Sequence, residues 1–360
     1  MVQFEHMTKH ITYIKFFLRL WIVYIVLLSC SSHDYGFSFP LSICLKGEYI
    51  PLDTILLQYP FRIRVNHDRV VIQDLHPYKH FFHLFSYPEF SYLSSFGEKG
   101  DGPNEFLQAE NFRWQGDSLL TLDCYKAEIR YWRFNTNRDS LQCCGIETVI
   151  KNLSLPLDFV QCDSNNFLIP DYSGNSRLCK VNKNGEILER IKTIPTSKKK
   201  ALQTNPNIYA QGWRCYMDYN KQNEILVIVT QLGEVLEIYN LATGENIIKK
   251  GKYGEPKIRR MNEYAIPNGI IGFSDIQVTD NYIYTIFEGH KYDEIVKKWK
   301  QGERTPQGGN LIRVYDLRGE PTCEYHLDHH INGIHVNENK KIILAVDANS
   351  NNPVREYKIK

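Results

Sequence analysis

Five acidic residues recur at one position of a repeated strand pattern, where carboxylates from separate repeats could meet. They are Asp74, Asp123, Asp171, Glu288 and Asp347, and each directly follows a short apolar strand. A ring of carboxylates could bind a divalent cation such as calcium, the hydroxyls of a sugar, or a cationic group. The alternative is local, because Asp often ends a strand by accepting hydrogen bonds from its own turn backbone.

A strand-and-turn unit that recurs about six times after residue 60 must position these acids. Its apolar strand is repeated at residues 70–74, 119–123, 167–171, 225–230, 282–288 and 342–347. An earlier strand precedes each copy, and an alternating strand closed by a Gly, Asn or Asp turn follows it. With a fourth strand at the outer edge, six such units predict an all-β, six-bladed β-propeller with four antiparallel strands per blade.

The last unit offers only three strands, at residues 334–336, 342–346 and 354–359. Residues 37–43 alternate in the way a fourth strand requires, and closing the ring with both termini would hide the last open edges. We therefore predict one propeller domain over residues 37–360, with the ring closed by an N-terminal strand that joins the last blade. The alternatives are a pair of β-sandwiches or a seven-bladed ring.

The N-terminus has the pattern of an export signal. Basic residues precede an apolar stretch at residues 20–28, which is shorter than the roughly 20 residues that span a bilayer. We predict a signal peptide at residues 1–29. Residues 27–30 read Leu-Leu-Ser-Cys and resemble the lipobox of bacterial lipoproteins, which implies acylation of Cys30, a lipidated tether at residues 30–36 and an exported membrane lipoprotein, the outer membrane being favoured. The alternative is an ordinary secretory signal in which Cys30 is incidental.

The segment between the first two units carries a family resemblance. Residues 96–106 read F-G-E-K-G-D-G-P-N-E-F, which resembles the G-x-x-G-x-G-P-x-E-F connector of six-bladed propellers related to the NHL repeat and to the TolB-like lipoproteins of Bacteroidota. The resemblance implies an exported, membrane-tethered six-bladed propeller without an assigned reaction. A phosphate-binding loop is the alternative, but such a loop leads into a helix, whereas residues 112–114 are predicted to be a strand.

Three long insertions, at residues 195–214, 251–272 and 289–310, fall in loop types that emerge on one side of a propeller. We call this side the insertion face. Loops that tolerate extra length on a rigid scaffold often bind ligands. The candidate ligand contacts in them are Tyr209, Trp213, Arg214 and Trp299. The rings of Tyr209 and Trp213, together with Arg214, suit sugar stacking, but they equally suit anchoring of the loops. Trp299 lies on a predicted short helix, and it could dock on the propeller or cover a ligand.

Three functions remain open from the sequence. The formal net charge of +2 implies neither nucleic acid nor an anionic surface as a partner. No G-x-S-x-G or H-E-x-x-H motif is present. We therefore predict an envelope binding or interaction module for a protein, peptide or saccharide, whose only membrane contact is its lipid anchor. One alternative is a cation-assisted hydrolase or lyase that acts on a sugar or lactone at the mouth of the central channel of the propeller. The other is a scaffold subunit that uses the rim of the propeller.

Overall fold

The computed structural model describes residues 36–52, 57–153, 155–174 and 176–359. The predicted signal peptide, Cys30 and nearly all of the tether lie outside these residues. Continuous apolar runs form the second strand of most blades, as in Ile225–Thr230, where every residue is buried. Such runs are buried on both sides, because each blade packs against a neighbouring blade on either face. Among the described residues, no helix is long and apolar enough to cross a bilayer.

Two N-terminal strands, β1 (Leu41–Leu45) and β2 (Glu48–Ile50), precede the first blade. The strands of blade 1 are β3 (Pro60–Asn66), β4 (Arg69–Asp74), β5 (His80–Ser86) and β6 (Tyr92–Glu98). Those of blade 2 are β7 (Ala109–Gln115), β8 (Ser118–Asp123), β9 (Glu128–Phe134) and β10 (Leu141–Val149). Those of blade 3 are β11 (Val160–Gln161), β12 (Asn166–Pro170), β13 (Leu178–Asn182) and β14 (Ile187–Ile191).

The first insertion forms two helices, α1 (Lys199–Thr204) and α2 (Pro206–Gly212). Blade 4 follows with β15 (Cys215–Asn220), β16 (Ile225–Thr230), β17 (Val235–Asn240) and β18 (Asn246–Lys250). The second insertion is a hairpin of β19 (Ile258–Met261) and β20 (Tyr264–Pro267). Blade 5 contains β21 (Phe273–Val278), β22 (Tyr282–Phe287), helix α3 (Tyr292–Lys300) of the third insertion, β23 (Gly309–Asp316) and β24 (Pro321–Ile331). Blade 6 contains β25 (Gly333–Asn337), β26 (Ile342–Val346) and β27 (Val354–Lys358).

The four blade strands of each sheet are antiparallel, and the first strand is innermost. Strand β2 pairs antiparallel with β27 and is the fourth strand of blade 6, so the prediction that an N-terminal strand closes the ring is confirmed. The predicted segment was wrong, because residues 41–45 instead pair in parallel with β24 as a fifth strand of blade 5. The rings of Phe37 and Phe39 pack edge-on against Tyr315 at 5.1 and 5.4 Å, which directs the chain to blade 5 first.

The connector at residues 96–106 is held by its own side chains and by blade 2. The Glu105 carboxylate accepts a hydrogen bond from the Gly102 N–H at 2.8 Å, and a Cβ atom at Gly100 would overlap this carboxylate. Lys126, in the turn between β8 and β9, donates to the carbonyls of Gly102 and Glu105 at 2.6 and 2.7 Å. The connector is therefore a tight joint between blades 1 and 2.

Candidate ligand-binding site

Charged side chains from the innermost strands cross the central channel. On β3, the guanidinium groups of Arg62 and Arg64 each lie 3.0 Å from the carboxylate of Asp275 on β21. Both Arg62 and Asp275 are buried. This carboxylate also accepts the Ile334 N–H of β25 at 2.9 Å. Blades 1, 5 and 6 are therefore joined through one buried carboxylate.

Arg113 makes the equivalent connection on the other side of the channel. Its guanidinium lies 2.8 Å from Asp158, which precedes β11, and 2.6 Å from Asp218 on β15. Asp218 in turn accepts the Val278 N–H of β21 at 2.8 Å. We call these side chains the channel plug, and its members are Arg62, Arg64, Arg113, Asp158, Asp218 and Asp275. Because the charges of the channel plug pair with one another across blades, they hold the innermost strands together.

Five acids were predicted to form the carboxylate ring, and four of them, all except Glu288, accept hydrogen bonds from backbone N–H groups. Asp123 illustrates the pattern, since it accepts the N–H groups of Leu107, Tyr125 and Lys126 at 2.8 to 3.1 Å. The other three, Asp74, Asp171 and Asp347, likewise accept N–H groups of nearby loop residues. This geometry agrees with the alternative that each Asp accepts hydrogen bonds from the backbone near the end of its strand. Direct ligand binding by these residues stays a prediction.

Glu288 differs from the other ring acids. Burial raises the pKa of its carboxyl to about 7, and it has no side-chain hydrogen bond to a described residue. Burial also raises the pKa of Glu110 to about 7, against the opposing effects of the nearby Arg62 and Arg214 charges. Charges of both acids act on the half-buried Tyr216, so both acids lie near this residue of β15. In the described part of the chain, no three His, Cys, Asp or Glu residues are grouped so as to hold a metal ion.

The predicted loop contacts divide into buried and accessible residues. Tyr209 and Trp213 are 8% and 1% exposed and pack in a core beneath the first insertion, where the Tyr209 hydroxyl lies 2.8 Å from Thr196 Oγ1. Their burial favours the anchoring alternative. Arg214 is half-buried near Glu110. Trp299, in contrast, is 75% exposed, so it is the ring of this set that a ligand can reach.

A groove on the insertion face lies between helix α3 and the loops before β3 and after β26. Its volume is about 1160 Å³. The helix contributes an apolar stripe of Tyr292, Ile295, Val296 and Trp299, whose spacing puts them on one side of an α-helix. No residue of α3 is buried, so the stripe is not packed into the propeller core. We call this cavity the helix groove.

Polar side chains line the rest of the helix groove. Four of them, Gln58, Glu303, Arg304 and Asn351, make no side-chain hydrogen bond or ion pair with a described residue. Their donors and acceptors are therefore available to a ligand. The combination of an apolar wall with a few polar groups is typical of ligand sites.

Two of the predicted ring acids position the walls of the helix groove. Asp347 accepts the Asn349 N–H at 2.8 Å. The Asn349 side chain then accepts the Gln307 N–H at 2.7 Å and donates to the Gln307 carbonyl at 3.0 Å. On the opposite wall, Asp74 accepts the Gln58 N–H at 2.6 Å. Asp74 and Asp347 therefore act as positioning residues, a role that their sequence pattern did not reveal.

A smaller cavity of about 500 Å³ opens at the other end of the channel. Its walls include the half-buried Trp114 and Tyr219. The charged groups at its inner end are Arg64, Arg113 and Asp218, which are already paired within the channel plug. The helix groove is the better candidate site, because four of its polar side chains have no partner among the described residues and its Trp299 ring is exposed.

Comparison with known proteins agrees with the fold. Residues 39–339 match the family model described as TolB-like 6-blade propeller-like. No curated protein matches the chain. A candidate exported protein of Bacteroides fragilis has a similar structure, with a TM-score of 0.56 at 12% identity, over 89% of this chain and 99% of that one.

Two further solved structures are similar. A Bacteroides vulgatus protein gives a TM-score of 0.54 at 10% identity, over 88% of this chain and 97% of that one. An auxiliary nutrient binding protein of Bacteroides ovatus gives 0.52 at 12% identity, over 85% of this chain and 70% of that one. At this level of identity, the similarity establishes a shared fold.

Proposed function

Because the chain belongs to the family of TolB-like six-bladed propellers, we propose that it is a tethered binding module of the bacterial cell envelope that holds its ligand in the helix groove. The observation that carries this proposal is the groove itself, in which the 75% exposed Trp299 faces unpaired polar side chains. Its volume of about 1160 Å³ exceeds the roughly 300 to 1,000 Å³ of common small-molecule sites. An extended ligand therefore suits it better than a single small molecule.

A saccharide fits this chemistry better than a peptide or a protein. One exposed ring can stack on the apolar face of a sugar, while the free side chains of Gln58 and Asn351 can bind its hydroxyls. A peptide laid along a sheet edge would need exposed backbone groups, whereas the helix groove offers mainly side chains. The nutrient-binding role of the Bacteroides ovatus protein is consistent with a saccharide ligand.

Phe37, at the start of the predicted propeller domain, lies toward the face opposite the insertions. The ring of Phe37 packs on Tyr315, near the end of β23. Because β23 starts at the insertion face, Phe37 lies toward the opposite face. In this proposal, an acyl chain on Cys30 attaches the protein to the outer membrane, the favoured location.

We expect a Cys30→Ala substitution to release the protein from the membrane fraction, because acyl chains supply the only membrane contact in this proposal. The measurement is fractionation of cells followed by immunoblotting. Cys44→Ala is the control, since Cys44 is an exposed free thiol. A Cys30→Ala protein that stayed in the membrane fraction would contradict the anchor.

A thermal-shift screen of the detergent-purified protein tests ligand binding. A ligand of the native state raises the melting temperature with the logarithm of its concentration over Kd. We expect shifts with oligosaccharides and none with peptides. The absence of any shift across a broad saccharide panel would argue against the groove and in favour of a rim scaffold.

One observation favours the enzyme alternative enough to test it. Glu110 and Glu288 have a pKa of about 7, close to the value that suits a general acid or base at neutral pH. Glu288→Gln removes the ionisable group but preserves the shape of the side chain. In the binding proposal this variant binds saccharide as the wild type does. Turnover of a sugar or lactone that disappears in Glu288→Gln would instead support a hydrolase or lyase.

A further inference from the structure

Basic residues are concentrated in the three insertions. Residues 195–214, 251–272 and 289–310 contain 13 Lys and Arg residues but only five Asp and Glu residues. Their formal net charge is +8, while the whole chain has +2, so the remaining residues have a net charge of −6. The near-neutral total therefore hides a strong separation of charge between the insertions and the rest of the chain.

Topology places this charge on one face. The first two insertions each connect the fourth strand of one blade to the first strand of the next, and the third connects β22 to β23. The insertions also touch one another. Arg260 donates to the Asn205 side chain at 2.9 Å, and the Tyr292 N–H donates to the Gly269 carbonyl at 2.8 Å. The three segments therefore form one continuous basic surface that includes one wall of the helix groove.

Most of these cations form no ion pair with a described residue. Arg260 and Lys291 have ion-pair partners, Glu263 and Glu294, and the other 11 cations have none among the described residues. Exposed apolar side chains stand among them. They are Met261, Tyr264 and Trp299, which are 58%, 66% and 75% exposed. The surface thus offers both cationic groups and stacking or packing groups to a partner.

We propose that the ligand of the insertion face is an acidic polysaccharide, whose repeating uronate or sulfate groups bind the basic insertions while its sugar rings occupy the helix groove. This inference rests on the proposed function. A single exposed ion pair contributes only about 0.2 to 1 kcal/mol and is screened by salt. Useful affinity from such charges requires many anionic groups on one molecule, as a polymer provides.

The spread of exposed rings over two insertions favours a polysaccharide over an anionic membrane. Tyr264 lies on the second insertion and Trp299 on the third. The exposed rings on separate insertions match the flat faces of successive sugars. Nucleic acid is a polyanion like an acidic polysaccharide, so the test includes its binding as an outcome.

The test measures binding of the detergent-purified full chain to polygalacturonate and, for comparison, to neutral dextran at several salt concentrations. The probe variant changes Lys198, Lys199 and Lys200 to Glu; these residues are exposed at the start of α1. The control changes Lys221, Lys340 and Lys341 to Glu. They are also exposed, and they lie in turns at the opposite face. Both variants alter the net charge equally.

We expect polygalacturonate to bind with an affinity that falls as salt rises. The insertion variant should lose about tenfold in affinity, because three attractions become repulsions, whereas the control should lose less than about twofold. If dextran bound as tightly as polygalacturonate and the affinity did not depend on salt, this inference would be overturned. The proposed function would remain intact. Binding of neither would overturn both. Equally tight binding of a single-stranded oligonucleotide, or of phosphatidylglycerol vesicles, would overturn the assignment to polysaccharide.

Discussion

Replacement of Asp275 with alanine should lower the free energy of unfolding by about 3 to 5 kcal/mol. This carboxylate lies 3.0 Å from both Arg62 and Arg64 and accepts the Ile334 N–H. The substitution leaves the buried Arg62 guanidinium without its counter-ion. Uncompensated buried charge is among the most destabilising changes in proteins. Because one carboxylate joins three blades, its loss should weaken the ring as a whole.

Denaturant unfolding of the wild type and Asp275→Ala measures this effect. Asp117→Ala is the matched control, since its side chain is 66% exposed and lies 3.4 Å from Arg138; we expect it to change stability by less than about 0.5 kcal/mol. A loss of less than about 1 kcal/mol in Asp275→Ala would contradict a structural role for the channel plug.

The pH dependence of this stabilisation follows from the same pair. Burial opposes ionisation of Asp275, but Arg62 and Arg64 outweigh it and lower the pKa of the carboxyl below its usual value of 3.8. A lowered folded-state pKa stabilises the fold above the unfolded-state pKa. The difference between wild type and Asp275→Ala should therefore be full above about pH 4 and shrink as pH falls through the folded-state pKa.

Substitution of Trp299 with alanine should weaken saccharide binding by about thirtyfold or more, the loss expected of an aromatic residue that carries much of a site's binding energy. The melting temperature should stay unchanged, because the ring is 75% exposed and no residue of α3 is buried. Isothermal titration of both proteins with the best ligand of the screen gives the ratio of Kd values.

Tyr49→Ala is the control for Trp299→Ala. Tyr49 is 60% exposed on β2, at the outer edge of blade 6. It should leave the affinity unchanged. If Trp299→Ala bound as tightly as the wild type, the helix would not form part of the site. If Tyr49→Ala lost affinity instead, the rim of the propeller would be the binding surface.

The family and the fold were predictable from sequence because their signals are local. The connector at residues 96–106 and the repeated strands each lie within a short stretch of chain, and the predicted family and six-bladed fold are confirmed. The closing strand was assigned to the wrong segment, because its partner β27 lies some 300 residues away. Alternation alone could not show that Phe37 and Phe39 pack on blade 5.

The candidate binding site was less predictable from the sequence than the fold. The channel plug had a detectable signal, since the charged residues Arg62, Arg64 and Asp275 lie on innermost strands among apolar residues. For the helix groove, the sequence indicated only Trp299 and its helix, because the groove forms where α3 meets a loop about 50 residues later in the chain. Aromatic residues of the insertions gave an ambiguous signal, and only their burial separates Trp213 from Trp299.

The most direct test of the binding site is hydrogen exchange measured by mass spectrometry, with and without a saturating saccharide. Amides that a ligand covers or stabilises exchange more slowly. We predict slower exchange in α3, in residues 303–307 and in residues 347–353, with little change elsewhere. Protection confined to the outer strands of the blades or to the turns of the opposite face, with α3 unchanged, would contradict the helix groove as the functional site.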